Sequence, residues 1–92
     1  MNFRQLEYIV AIADEGNITK ASMKMYITQS ALNQQLLKLE KELGAELFHR
    51  SKIAMTPTEI GEIYIRKAKE ILEIKKDTYN QIEDITRKYR EI

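Results

Sequence analysis

Apolar side chains fall at Phe3, Leu6, Ile9, Val10 and Ala13, the three-to-four-residue spacing of a helix with one buried side. Asn2 precedes this stretch and Gln5 follows three residues later, the form of a capping box. Gly16 then supplies a residue that readily turns left-handed at a helix end. Asn17 is placed to cap a short helix from Ile18 to about Met25, with Ala21, Ser22 and Met25 inward. After a break at Tyr26 to Thr28, Thr28 caps a third helix that runs to Leu43 and stops at Gly44. Its Leu32, Leu36, Leu39 and Leu43 recur at steps of four, three and four, which predicts one buried face. A short helix, a tight turn and a longer helix make a helix-turn-helix.

Beyond Gly44, Leu47 and Phe48 lead into the polar stretch His49 to Lys52, and Ile53, Ala54 and Met55 follow. This pattern predicts two short strands around a polar tip, a hairpin wing. From Glu59 to Ile92 only Gly61 interrupts helix formation, so a helix of about 50 Å is expected at 1.5 Å per residue. Along it Tyr64, Ala68, Ile71, Lys75, Thr78, Ile82, Ile85, Tyr89 and Ile92 alternate steps of four and three, a heptad seam. Such a helix has nothing in its own chain to cover the outer seam. Ile71, Thr78, Ile82, Ile85, Tyr89 and Ile92 are therefore expected to pack on a second copy. The fold class is mainly α: a winged helix-turn-helix of three helices and a small β-hairpin over residues 1–58, then a long linker and dimerisation helix over residues 59–92.

Composition narrows the chemistry. The chain has 92 residues, enough for one small domain, and no cysteine, so neither a disulfide framework nor a thiolate metal site can form. His49 is the only histidine, and no metal or cofactor is expected. No apolar run has the length of a membrane span and the first residues lack a signal-peptide core, so a cytoplasmic protein without membrane contact is expected. The formal charge is only +1, yet no acidic residue stands between Glu15 and Glu40 while Lys20, Lys24 and Lys38 do. A locally positive face can coexist with a nearly neutral total, because salt confines phosphate contacts to nearby charges.

Several of these segments resemble one family in order and spacing. Phe3-Arg4-Gln5-Leu6, Gly16-Asn17-Ile18-Thr19-Lys20-Ala21, Thr28-Gln29-Ser30-Ala31-Leu32-Asn33, Leu39-Glu40-Lys41-Glu42-Leu43-Gly44, Leu47-Phe48-His49-Arg50 and Thr58-Glu59-Ile60-Gly61 are similar to the N-terminal domain of LysR-type transcriptional regulators. The resemblance covers roughly residues 1 to 72. It implies a winged helix-turn-helix, an antiparallel dimer through the linker helix, and binding to paired half-sites in promoters. Full-length members add a C-terminal effector-sensing domain, so no effector is expected on this segment. The chain departs from the family where Ser30 replaces a common proline, Gln34 an arginine and Pro57 a leucine. Ile53 and Leu37 also stand where basic or polar residues are common.

A helix in the major groove reads base edges from one face near its N-terminus. With the leucines inward, the opposite face of the third helix carries Gln29, Ser30, Asn33 and Gln34, the candidate base contacts, and Leu37, for which no role is assigned. Side-chain amides suit this task because they donate and accept at adenine together. Lys20, Thr28, Lys38, Arg50 and Lys52 are the candidate contacts to the DNA backbone, which set register and carry little sequence information. The partners expected are double-stranded promoter DNA and a second copy of the chain. A second reading is a winged-helix module that assembles with a protein partner without reading DNA. No nucleophile beside a base and no glycine-rich phosphate loop points to an enzyme.

Overall fold

The computed structural model describes residues 1–51 and 53–90. In chain order these form α1 (Phe3–Glu15), α2 (Ile18–Lys24), α3 (Gln29–Leu43), β1 (Phe48–Arg50), β2 (Met55–Pro57) and α4 (Glu59–Arg90). The helix starts follow from local side-chain chemistry. Asn2 Oδ1 accepts from the Gln5 N–H at 2.9 Å while Gln5 Oε1 accepts from the Asn2 N–H at 3.2 Å. Asn17 and Thr28 accept in the same way from the amides of Lys20 and Ala31. Gly16 and Gly44 end α1 and α3 in the left-handed region, with φ of 63° and 71°.

The turn between α2 and α3 passes through Tyr26, a non-glycine residue at φ 57° whose side chain is 94% exposed. A bulky side chain here is strained, and asparagine takes this conformation far more readily. Tyr26→Asn removes no packing, so it is expected to raise unfolding stability by up to about 1 kcal/mol. The urea midpoint checks this; a lower midpoint would show that Tyr26 makes a contact worth more than its strain.

The core is built from Leu6, Ile9 and Ile12 of α1, Ala21 of α2, Leu32, Leu36 and Leu39 of α3, Leu47 and Phe48 of the returning chain, and Tyr64, Ile65 and Ala68 of α4. The Tyr64 hydroxyl has no hydrogen-bond partner among the described residues. Burial, aided by Glu42, pushes its pKa above the usual tyrosine value, so the phenol stays neutral. Beyond Leu72 the helix adds no further residue to the core, and the molecule measures 56 × 24 × 19 Å.

Three expectations are corrected in detail. Leu43 is 45% exposed rather than inward, and Glu40, beside Leu39 on the helix, takes the buried place. Phe3 is 47% exposed, outside the core that the rest of its stripe enters. The strands lie later than the apolar pattern suggests. Ser51 Oγ accepts from the amides of Ile53 and Ala54 and donates to the Ala54 carbonyl, which makes this stretch the turn and leaves Ile53 88% exposed. The strands pair antiparallel with Phe48 opposite Pro57 and Arg50 opposite Met55.

Candidate nucleic-acid interface

One face of α3 is spent on the core, and the opposite face is free. Gln29, Ser30 and Gln34 are exposed there, Asn33 is half-buried between them, and Leu37 is 49% exposed. The four polar residues expected to meet bases therefore share the first two turns of one helix face. Thr28 stands at the start of this helix; its oxygen is occupied by the Ala31 amide, which leaves the hydroxyl proton free to donate.

Two of the amides are tied to the scaffold. Gln29 Nε2 donates to Thr19 Oγ1 of α2 at 2.7 Å. Asn33 Oδ1 accepts from Arg50 Nη1 at 2.6 Å, and Arg50 Nη2 donates to Glu40 Oε1 at 3.3 Å. The other carboxylate oxygen of Glu40 accepts from the Leu47 amide at 2.7 Å. A buried carboxylate is stable only when its lone pairs are used, and here both oxygens are. Glu40 thus fastens the wing to α3, and the Arg50 side chain turns back onto α3. A charged residue one step round from Leu39 and four after Leu36 is the sequence signal for this role, and the expectation that Leu43 faced inward obscured it. Thr19 was equally absent from the candidates.

Lys20 and Lys38 are exposed, and neither has an acidic partner within salt-bridge reach among the described residues. Lys52 lies outside the described residues. The wing is held against the end of α1 by the Met55 amide, which donates to the Gly16 carbonyl at 2.9 Å.

Along α4, Ile74, Tyr79, Ile82, Ile85 and Tyr89 are exposed by 67%, 64%, 56%, 60% and 73%. Ile71 is half-buried against the chain's own core, and Ile92 lies outside the described residues. An open apolar groove is lined by Phe3, Ile71, Ile74, Lys75, Thr78, Tyr79 and Ile82, with the Lys75 ammonium 4.6 Å from the centre of the Phe3 ring. Phe3, Ile74 and Tyr79 lie off the heptad read from the sequence; their exposure broadens the stripe beyond a single seam. Among the described residues no helix is long and apolar enough to cross a membrane, and no group of His, Cys, Asp and Glu side chains is placed to hold a metal ion.

This architecture has close counterparts. The complex of the BenM DBD with benA site 1 DNA superposes with a TM-score of 0.87 at 31% identity, covering 94% of this chain and 97% of that one. The CbnR DBD–DNA complex gives 0.83 at 30% identity, covering 94% and 99%. In sequence the chain is 41% identical over 86 residues to the HTH-type transcriptional regulator BsdA of Bacillus subtilis (strain 168), which is 92% of this chain and 30% of that protein. It is 46% identical over 72 residues to the nitrogen assimilation regulatory protein nac of Escherichia coli (strain K12), 78% of this chain and 24% of that protein. The chain thus spans less than a third of the length of these relatives. Residues 3–62 match the family described as bacterial regulatory helix-turn-helix protein, lysR family, and these residues run from the start of α1 through the wing into α4. The helix-turn-helix, its hairpin wing and the long following helix are those of the LysR family of bacterial regulators, to which this chain belongs.

Proposed function

We propose that this chain is a DNA-reading segment of a cytoplasmic transcriptional regulator, which binds double-stranded promoter DNA as a homodimer. Residues 1–58 are the DNA-binding unit and residues 59–92 the linker through which two copies pair. The observation that carries this reading is the outward face of α3, where Gln29, Ser30, Asn33 and Gln34 stand together with the core-facing leucines behind them. The BenM and CbnR structures, similar over nearly the whole chain, are complexes with DNA, which supports the same role here. Gln29, Ser30, Asn33 and Gln34 contact base edges; Lys20, Thr28, Lys38 and Lys52 serve the backbone, while Arg50, expected with them, is turned back onto Asn33 and Glu40. The exposed apolar stripe of α4, with Thr78, Ile82, Ile85 and Tyr89 outermost, supports pairing with a second copy. The role is binding rather than catalysis.

Two substitutions separate the two kinds of contact. Gln34→Ala removes an amide on the reading face, so binding to the preferred site is expected to weaken by about 1–3 kcal/mol while other DNA is bound as before. Lys20→Ala is expected to weaken binding to all sequences alike and to reduce the slope of log affinity against log salt by about 0.9. Both are measured by fluorescence anisotropy on matched duplexes at several salt concentrations. Equal losses on every sequence for Gln34→Ala would remove α3 as the reading element.

A further inference from the structure

We propose that Arg50 is a positioning residue for base specificity, holding Asn33 so that it reads guanine rather than adenine; the inference rests on the DNA-reading role proposed above. A guanidinium has five donors and no acceptor, so the atom of Asn33 that faces it must be the carbonyl oxygen. The 2.6 Å bond from Arg50 Nη1 to Asn33 Oδ1 therefore fixes which way the amide points. Arg50 is itself anchored: its Nη2 reaches Glu40, whose buried carboxylate also holds the Leu47 amide. The chain Leu47–Glu40–Arg50–Asn33 runs from the base of the wing to the reading face.

A bidentate contact to adenine needs both ends of an amide turned to the base, the oxygen toward N6 and the nitrogen toward N7. With Oδ1 drawn back against Arg50, Asn33 presents only its NH2 group. Guanine offers two adjacent acceptors there, N7 and O6, whereas adenine sets its own N6 donor beside N7. The held amide favours guanine, and an amide released from Arg50 regains the adenine contact. In this arrangement the charge of Arg50 is matched by Glu40 within the protein, so Arg50 contributes little to phosphate binding.

The test is selection from a randomised duplex library by the 92-residue chain, its Asn33→Ala variant, Arg50→Met, and the double variant Glu40→Gln/Arg50→Met. Asn33→Ala locates the base pair under Asn33 as the position where preference disappears. The double variant keeps an acceptor for the Leu47 amide, leaves no lone buried carboxylate and preserves net charge. It carries the test if Arg50→Met alone fails to melt cooperatively. The expected result is guanine at that position for the parent and adenine for both Arg50 variants, a change in base ratio on the order of tenfold or more, with the salt slope of affinity unchanged. Guanine retained by the Arg50 variants, with the slope of Arg50→Met lower by about 0.9, would make Arg50 a phosphate contact and overturn the proposal. A parent that selects a sequence but has no position sensitive to Asn33→Ala would overturn it while leaving the DNA-reading role standing. A parent that selects no sequence at all would remove both.

Discussion

Gly61→Ala is expected to lower unfolding stability by about 2–4 kcal/mol, although alanine is intrinsically the better helix former by about 1 kcal/mol. Gly61 is buried in the first turns of α4, where the helix crosses the backbone of Leu47. A Cβ at this position would overlap the Leu47 carbonyl oxygen and stand 2.8 Å from its carbonyl carbon. That carbonyl cannot easily yield. It accepts from the Thr58 amide at 3.0 Å, and the Leu47 amide is held by Glu40 at 2.7 Å. Relief requires lifting the start of α4 from the body, which uncovers the surfaces beneath Tyr64 and Ala68. Chemical unfolding followed by circular dichroism checks this, with Glu62→Ala on the exposed side of the same turn as the control within about 0.5 kcal/mol. A midpoint equal to or above that of the parent would show that α4 does not rest on Leu47.

The second large effect lies at the far end of the same helix. Ile82→Asp is expected to convert a dimer to a monomer. Ile82 is 56% exposed and lines the groove with Ile74, Thr78 and Tyr79, so within one chain its apolar surface is largely uncovered. Covering an isoleucine side chain contributes roughly 1.5–3 kcal/mol, and a two-fold interface loses this twice. A carboxylate placed in the seam adds a desolvation cost. Dissociation is then expected to strengthen by at least a hundredfold, at about 1.4 kcal/mol per decade. Because Ile82 is remote from the core, the monomer should keep its helical content and its melting behaviour. Sedimentation equilibrium reads the mass; an unchanged dimer mass would place the interface elsewhere.

Both substitutions also show which features a sequence pattern can carry. The helices, their caps and the hairpin were legible because each depends on residues near in sequence: Asn2 with Gln5, Asn17 with Lys20, Thr28 with Ala31, and glycine at the two left-handed positions. Contacts set by tertiary approach were not. Gly61 reads only as a weak point in a helix until the Leu47 backbone is seen above it. Glu40 reads as the end of an acid-free stretch, yet it is buried between the wing and α3. Arg50 was expected at a wing tip facing outward, and its guanidinium instead meets Asn33, seventeen positions away. On the outward face of α3 the residue identities followed from the leucine register, whereas their hydrogen-bonding state, with Gln29 held by Thr19 and Asn33 by Arg50, followed only from the packing of α2 and the wing on α3. The exposed apolar stripe of α4 was legible in its outer half. Its inner half was not, because Phe3 and Ile74 enter the groove through the packing of α1 on α4.

In the proposed function, α3 reads sequence as one of a symmetric pair. The most direct test is unbiased selection of fragments from the source genome by the purified chain at moderate salt, followed by comparison of the recovered sequences. Enrichment of a two-fold symmetric sequence in intergenic DNA is expected, with half-sites one or more helical turns apart to match two recognition helices. Weak binding to every fragment with no shared sequence would contradict it, and would turn the exposed faces of α3 and α4 into surfaces for a protein partner.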